Sequence, residues 1–335
     1  MYETFYGLHE RPFDLTTNPR FLFLTPRHRE ALSTLRYGLS APRGLTVLLG
    51  DAGTGKTTVL RAALNEERRP ENRNVLLTNP TLTRPEFYEF IARGFGLDES
   101  CVQSKARFLT EFQRDVFERH EAGGLTTLII DEAQSLPYEL LEEVRLLANI
   151  ETSTVKLLNL VLVGQPELAD RLNEQSLRQL KQRITLRAQL TPLDLKETAA
   201  YVAGRLRIAG GNVSEILTKN AVLAIHEISN GLPRIVNVLA DNALMGGFAT
   251  HTKPVDAAIV RDVGRDFDFG LGGVAAQPPF AVPAAAARPN GVPADRTPPT
   301  SDDTANISVI DRGLGDGRPS SPDDTAARKK RFLFF

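Results

Sequence analysis

The sequence predicts an α/β fold in which helices cover a parallel sheet, followed by a small domain made only of helices. Up to Pro192, short apolar runs alternate with longer segments of helical periodicity, which is typical of a parallel sheet buried on both faces. After Pro192 no further strand-like run appears, while more helical segments follow. From about Gly270 the apolar periodicity stops. The chain therefore divides into a sheet domain, a helical domain and a tail.

Five apolar runs are the predicted strands. They are Leu45–Leu49, Val75–Thr78, Thr127–Ile130, Leu158–Val163 and Ile184–Leu190. Predicted helices beside them include Arg84–Gly94, Lys105–His120, Tyr138–Asn149 and Asp194–Ala209. Three further predicted helices are Glu215–Ser229, Pro233–Phe248 and Val255–Asp266. We therefore assign residues 1–192 to the sheet domain and residues 193–269 to a helical lid.

The tail has two parts of different composition. Residues 270–327 are rich in Pro, Ala, Gly, Ser, Asp and Thr, and we expect disorder because such a segment buries too little apolar surface to offset its ordering entropy. Residues 328–335 are four cations followed by four bulky apolar side chains, which suits weak attachment to an anionic membrane surface or a membrane protein. Co-sedimentation with anionic liposomes, with and without residues 328–335, tests that expectation.

Composition excludes several classes of protein. A formal net charge of −1 gives no overall basic field for nucleic acid, and the single Cys101 excludes an intramolecular disulfide. The stretch Met1–Tyr6 has neither the basic nor the apolar region of a signal peptide, and no run reaches the roughly 18 apolar residues of a spanning helix. The five histidines are scattered, so we expect no structural metal site. We expect a cytoplasmic protein, with the inner face of the membrane as its place of attachment if the tip binds there.

A phosphate-binding loop follows the first predicted strand. The run Gly50-Asp51-Ala52-Gly53-Thr54-Gly55-Lys56-Thr57 fits the pattern G-x-x-x-x-G-K-[ST], and a predicted helix, Thr57–Asn65, follows it. The glycines let backbone N–H groups point at phosphate oxygens, and the helix dipole adds to the attraction. Lys56 is expected to reach the β- and γ-phosphates and Thr57 to ligate Mg²⁺, with Thr58 as a further contact. The sequence therefore predicts ATP and Mg²⁺ as cofactors.

Polar side chains follow two later strands. Asp131 and Glu132 end the strand Thr127–Ile130, where we expect Asp131 to hold Mg²⁺ and Glu132 to activate the attacking water as general base. Gln165 ends the next strand, and an amide there is expected to position that water beside the γ-phosphate, the role called sensor 1. The alternative for Gln165 is a helix-capping or turn residue before Pro166.

Three arginines are candidates for transition-state contacts. Arg183 precedes the last strand, the position from which an oligomeric ATPase projects an arginine finger into its neighbour's site. Arg178 is the rival, and a solvated surface cation is the alternative for either. Arg234 opens a lid helix after Gly231-Leu232-Pro233 and is expected to reach the γ-phosphate, the role called sensor 2.

The order of these motifs resembles the AAA+ ATPases over residues 1 to about 264, and more narrowly the general secretion pathway protein A family with its soluble relatives. The stretches that carry the resemblance are Phe5-Tyr6-Gly7-Leu8, Pro12-Phe13, Asn18-Pro19-Arg20-Phe21-Leu22, Ala31-Leu32, Tyr37-Gly38, Ile130-Asp131-Glu132-Ala133-Gln134, Val144-Arg145-Leu146-Leu147, Ile150-Glu151-Thr152, Val163-Gly164-Gln165-Pro166-Glu167-Leu168, Leu177-Arg178-Gln179-Leu180 and Gln182-Arg183-Ile184. The resemblance implies a nucleotide between the sheet domain and the lid, and activity as a homo-oligomeric ring or filament. It also implies that the segment Phe5–Leu8 closes over the adenine side.

Two kinds of function fit this resemblance. The first is a mechanochemical ATPase of envelope assembly, in secretion, exopolysaccharide export or pilus-like machinery, and we favour it. The second is a DNA-associated regulator of transposition. Arg61, Arg68, Arg69 and Arg73 are the cations that the second function would use, although we favour a solvated helix end as their explanation. In the secretion proteins a transmembrane helix and a periplasmic peptidoglycan-binding domain follow the ATPase, and this sequence contains neither. This difference from the secretion proteins leaves room for their soluble relatives as models for this chain.

Overall fold

The computed structural model describes residues 1–15, 19–67, 69–269 and 308–309. Its parallel strands are β1 (Leu45–Leu49), β2 (Arg73–Leu77), β3 (Thr126–Ile130), β4 (Leu158–Gly164) and β5 (Ile184–Gln189). They lie in the order β5-β1-β4-β3-β2. Each overlaps a run predicted as a strand, so the predicted parallel sheet is confirmed. A two-residue strand, β6 (Ser308–Val309), pairs antiparallel with the outer edge of β2.

The register brings the functional strand ends to one edge of the sheet. Leu49 pairs with Gly164, and Leu162 pairs with Ile130. The residues that follow β1, β3 and β4 are therefore neighbours, which is how parallel strands build a site from distant stretches of sequence.

Helices cover both faces of the sheet. They are α2 (Pro26–Leu39), α3 (Lys56–Glu66), α4 (Arg84–Phe95), α5 (Lys105–Glu121), α6 (Tyr138–Leu147), α7 (Pro166–Asn173) and α8 (Arg178–Lys181). The remaining helices pack with one another in the lid and are α1 (Tyr2–Tyr6), α9 (Leu195–Ile208), α10 (Val213–Ile216), α11 (Lys219–Ser229), α12 (Pro233–Ala249) and α13 (Ala257–Asp266). Alternate residues of β1 enter opposite cores: Val47 packs with α4 to α8, and Leu48 with α2 and α3. This two-sided burial explains why the strands are continuous apolar runs.

One predicted helix is wrong. The segment Glu215–Ser229 is not continuous, because α10 ends at Ile216 and α11 begins at Lys219. Leu217 instead forms a parallel bridge with Val255, and the Thr218 side chain accepts a hydrogen bond from the Ala221 N–H as the cap of α11. The capping threonine is a helix start that lay inside an otherwise periodic apolar pattern.

The N-terminal residues pack with the lid rather than with the sheet. Tyr2, Tyr6, Leu8 and Phe13 belong to the same hydrophobic core as α9, α11 and α12. The Tyr6 hydroxyl donates a hydrogen bond to the Leu244 carbonyl of α12. The hydrophobic core of the lid therefore includes residues near the N-terminus, which lie within the range 1–192 that the sequence analysis assigns to the sheet domain.

Several expectations concern residues that the structure does not describe. The linker, residues 270–327, lies outside the described residues except for β6, which is a regular element where we expected none. The basic-aromatic tip, residues 328–335, and Arg68 also lie outside them. Among the helices that are described, none is both long enough and apolar enough to cross a bilayer.

Candidate nucleotide site

A cavity of about 420 Å³ lies between the phosphate loop and the lid. The loop and α3 contribute Ala52, Gly53, Thr54, Gly55, Lys56, Thr57 and Thr58 to its wall. Glu132 reaches it from the sheet and Arg234 from the lid. Its size falls within the range of small-molecule sites. The structure therefore brings together residues that the sequence predicted to share a site.

The phosphate loop has the backbone that its glycines allow. Gly53 and Gly55 have φ angles of 83° and 96°, which are left-handed conformations that disfavour other residues. A side chain at Gly50 would come within 3.0 Å of the Leu190 carbonyl oxygen. The loop ends where α3 begins at Lys56, so the free N–H groups of the helix start face the cavity.

Lys56 is folded against the base of the loop. Its ammonium donates hydrogen bonds to the carbonyl oxygens of Gly50, at 2.8 Å, and Asp51, at 3.1 Å. Burial lowers the pKa of Lys56, and the nearby carboxylates of Glu132 and Asp131 oppose this effect. The side chain is thus a buried cation held at the position where phosphate oxygens would arrive.

Thr57 and Asp131 form the pair expected to hold Mg²⁺. The Thr57 hydroxyl donates a hydrogen bond to Asp131 Oδ2 at 2.9 Å, and the Glu132 N–H donates to Asp131 Oδ1. Asp131 is only 5% exposed, and burial raises its pKa. A buried carboxylate and a hydroxyl are hard oxygen ligands of the kind Mg²⁺ takes alongside substrate phosphates. These residues therefore fit the predicted metal.

Glu132 has a left-handed backbone, with φ 52° and ψ 38°, which turns it out of the strand direction. Its Oε2 atom accepts hydrogen bonds from Gln134 Nε2, at 2.6 Å, and Gln165 Nε2, at 3.3 Å. A non-glycine residue in this conformation is uncommon and costs energy, which is typical of functional sites. Gln165 does not line the cavity itself and meets it through Glu132.

Gln134 is a site residue that the sequence analysis did not single out. Besides its bond to Glu132, its Oε1 atom accepts a hydrogen bond from the Gln165 N–H at 3.0 Å. Its carbonyl oxygen accepts from Arg171 Nη1 of α7. A side chain at Gly164 would come within 3.0 Å of Gln134 Oε1. Its position two residues after Glu132 is the sequence feature that could have identified Gln134.

The three arginines lie in different places. Arg234 is exposed above the loop, where its backbone N–H donates a hydrogen bond to the Gly53 carbonyl oxygen at 3.2 Å. Arg183 immediately precedes β5, whose first residue pairs with Leu45 at the start of β1. It therefore lies at the opposite edge of the sheet from the phosphate loop. Arg178 is an exposed residue at the start of α8.

The adenine side of the cavity is not formed as expected. The segment Phe5–Leu8 does not line it, because its aromatic residues are taken up by the lid core. The wall away from the phosphate loop consists of Leu15, Phe21, Leu22, Phe23, Tyr201, Arg205 and Asn237. The expectation for Phe5–Leu8 was therefore wrong, and the residues that follow that segment form the wall instead.

His28 is a second residue that sequence analysis missed, and no sequence pattern marks it. It is buried beneath the loop, with its Nε2 3.1 Å from the Thr54 carbonyl oxygen and its Nδ1 2.7 Å from the Thr25 hydroxyl. Burial lowers the pKa of His28, which favours the neutral ring. In that form Nε2–H donates to Thr54 and Nδ1 accepts from Thr25, so both ring nitrogens are satisfied.

The sequence of this chain is similar to those of known proteins. The model of the AAA domain family matches residues 40–172. General secretion pathway protein A of Aeromonas hydrophila is 41% identical over 256 residues, which are 76% of this chain and 46% of that protein. The chain thus spans about half the length of this relative.

Solved structures share the fold. Cdc6p from Pyrobaculum aerophilum has a TM-score of 0.58 at 17% identity, covering 76% of this chain and 70% of its own. The ORC2 protein of Aeropyrum pernix, in ADPNP-ADP complexes, has a TM-score of 0.57 at 18% identity, covering 77% and 71%. The fold, the motifs and the relative together show that this chain belongs to the AAA+ ATPases and is a member of the group that contains general secretion pathway protein A.

Proposed function

We propose that this protein hydrolyses ATP as a homo-oligomer, with Glu132 as general base and Arg183 of one copy completing the site of the next. The observation that carries the proposal is an asymmetry within one chain. Glu132 lines the cavity beside the Thr57–Asp131 pair, whereas Arg183 is at the far end of β5 from the phosphate loop.

Each polar group of the site has a separate role in the proposed reaction. Loop N–H groups and Lys56 bind the phosphates, and Arg234 of the lid approaches the terminal phosphate from above. Thr57 and Asp131 hold Mg²⁺, which supplies charge neutralisation at the phosphates. Glu132 takes a proton from the attacking water through Oε1, because Oε2 is held by the two amides. Gln165 orients Glu132 rather than meeting the phosphate directly.

Distance argues for action of Arg183 on a second copy. Arg183 adjoins the start of β1 in register, and Gly50 follows its end. Five strand residues span roughly 17 Å, at about 3.3 Å per residue. An arginine at that separation serves a site on another copy. Arg178 of α8 is the alternative arginine finger, since it is exposed and also lies on the segment before β5.

The experiment mixes two inactive variants, Arg183→Ala and Glu132→Gln. Some interfaces in the mixture pair an intact Glu132 with an intact Arg183, so turnover is expected to return. Activity per subunit of the wild type should also rise with protein concentration. If no mixing ratio restores turnover, while Arg178→Ala mixed with Glu132→Gln does restore it, Arg178 is the finger. If neither mixture is active, action between copies is wrong.

For the cellular role we propose envelope secretion or exopolysaccharide export, with attachment to the inner face of the membrane through residues 328–335. Similarity to general secretion pathway protein A supports the first part, and the composition of the tip supports the second. The DNA alternative has less support, because Arg73 is half-buried and donates to the Gly94 carbonyl oxygen at 3.1 Å. Steeply salt-dependent binding to duplex DNA would reverse this preference.

A further inference from the structure

The cavity wall away from the phosphate loop contains a buried chain of hydrogen bonds. Arg205 of α9 is 7% exposed and Asn237 of α12 is 8% exposed, and both line the cavity. Tyr201 lies between them. Arg205 Nη1 is 2.5 Å from the Tyr201 hydroxyl, which is 2.9 Å from Asn237 Oδ1. None of these residues belongs to the phosphate-binding or hydrolytic groups described above.

Each bond in this chain of hydrogen bonds has a defined direction. An arginine only donates, so the Tyr201 oxygen accepts from Arg205. The Tyr201 hydroxyl in turn donates its single hydrogen to the carbonyl oxygen of the Asn237 amide. The orientation of the Asn237 amide is therefore set, and its NH₂ group is turned away from Tyr201. Among the described residues that NH₂ group has no hydrogen-bond partner.

The chain is anchored at its far end, so the amide is not free to rotate. Arg205 Nε donates to the Pro12 carbonyl, and its Nη2 to the Asp14 carbonyl. The guanidinium also lies 5.0 Å from the centre of the Phe21 ring. Asn237 lines the cavity, so a ligand bound there can supply the acceptor that its NH₂ group lacks among the described residues. The Asn237 amide is therefore held in one orientation before a ligand binds, which lowers the entropy cost of binding.

Position identifies the part of the nucleotide that meets it. Asn237 is three residues after Arg234 on α12, and Arg234 contacts Gly53 of the phosphate loop. The amide is therefore roughly 4.5 Å farther along the helix axis from the phosphates. Phe21 and Phe23 line the same wall, which suits a flat heteroaromatic ring. This end of the cavity is the nucleoside end.

We propose that Asn237 donates a hydrogen bond to an acceptor nitrogen of the purine ring, with Tyr201 and Arg205 as positioning residues that fix its amide. The inference rests on the proposed binding of ATP and adds the group that recognises the base. It assigns a role in binding and none in hydrolysis.

The wild-type chain provides the first test, by calorimetric affinity for ADP and for analogues in which N1, N3 or N7 is replaced by C–H. One analogue is expected to bind about three- to tenfold more weakly, the worth of one hydrogen bond. Equal affinity for ADP and all three analogues overturns the inference. Failure to bind ADP or ATP at all overturns the proposed function with it.

Variants then assign the effect to Asn237. Asn237→Leu keeps the size of the side chain, and we expect it to bind ADP as weakly as wild type binds the poor analogue, with no further loss on that analogue. Tyr201→Phe should show a smaller loss of affinity, because the amide is retained but released. The matched control is Asn242→Leu on the same helix, whose amide donates to the Val238 carbonyl outside this cavity and whose loss should leave affinity unchanged.

Two results contradict the assignment in folded protein. Asn237→Leu could discriminate ADP from the poor analogue as well as wild type does. Alternatively, it could lose its preference for ADP over 2′-deoxy-ADP, which would assign the amide to the ribose instead. Thermal unfolding of each variant verifies that it is folded, and the wild-type analogue series decides the matter if Asn237→Leu is not.

Discussion

The phosphate side of the cavity and two exposed arginines, Arg234 and Arg178, differ in how completely their polar groups are paired. On the phosphate side, Lys56 is bonded to loop carbonyls, Thr57 to Asp131, and Glu132 to two amides. By contrast, the guanidinium groups of Arg234 and Arg178 make no hydrogen bond or ion pair within the part of the chain that the structure describes. The groups expected to bind Mg²⁺ and to activate water are thus already hydrogen-bonded within the chain. The two arginine side chains have no such partner among the described residues.

Burial explains the difference. Lys56 and Asp131 are buried, and a buried charge without partners is very costly. Exposed arginines lose little by remaining solvated, so they are available for a phosphate or for a second copy. We therefore expect the rate of turnover to be controlled by the placement of the arginines and not by the positioning of the general base, Glu132.

The largest expected effects come from replacing Lys56 or Glu132. Lys56→Ala should lose nucleotide affinity, because the loop then lacks its buried cation. Glu132→Gln should bind ATP with wild-type affinity but hydrolyse it about 10²–10⁴ times more slowly, the usual cost of losing a general base. Calorimetric binding and phosphate release measure the two effects separately.

Ser135→Ala serves as a control for Glu132→Gln, because Ser135 is an exposed residue of the same turn. Unchanged turnover in Glu132→Gln would remove Glu132 from the chemistry. Equal affinity of wild type and Lys56→Ala would contradict the assignment of the phosphate loop.

A smaller effect should follow when Glu132 remains but its support is removed. Gln134→Leu deletes the donor to Glu132 and leaves the Gln165 N–H without its acceptor. We expect turnover to fall roughly tenfold with nucleotide affinity unchanged, because misplacing a reacting group by about 1 Å costs up to 10²-fold. Single-turnover hydrolysis and ADP affinity measure both quantities.

A purely structural role for Gln134 would give a different result. Unfolding at lower temperature with normal turnover in the folded protein would show that Gln134 only stabilises the loop. Gln134→Asn retains an amide on a shorter side chain and should recover part of the rate, whereas Gln134→Leu should not.

Local pattern predicted which stretches of sequence meet on the phosphate side. The strand–loop–helix around Lys56, and the convergence of Asp131 with Gln165, follow from parallel strands whose ends share an edge. The wall away from the phosphates was not predicted. It depends on how α9, α12 and residues 12–23 pack together, and no spacing within one segment encodes that arrangement.

The N-terminal aromatics illustrate the limit. Tyr2 and Tyr6 carry no periodicity that distinguishes a cavity wall from a core, and the apolar surface of the lid buries both. Asn237 was closer to being found, since it lies on the same helix face as Arg234, three residues later. His28 lies on α2, which precedes the phosphate loop and meets it only through tertiary packing.

The smallest expected effect concerns pH and the support beneath the phosphate loop. Because burial lowers the pKa of His28, the unfolded chain takes up a proton before the folded chain does as pH falls below the ordinary value of 6.5. Stability from this group is complete above that pH and declines below it, by up to about 1.4 kcal/mol per pH unit. The hydrogen bond to Thr54 and the charge of Glu197 oppose the shift, so the decline should be smaller.

His28→Gln removes the titration and should lose less free energy of unfolding than wild type between about pH 7.5 and about pH 5.5. Urea denaturation at the two pH values measures the difference, with His120→Gln on α5, outside the cavity, as the control for loss of a histidine. An equal pH dependence in wild type and His28→Gln would mean that the loop is not held by a neutral imidazole. The phosphate side would then be less firmly assembled than its hydrogen bonds indicate, and the contrast with the unpaired arginines would be reduced.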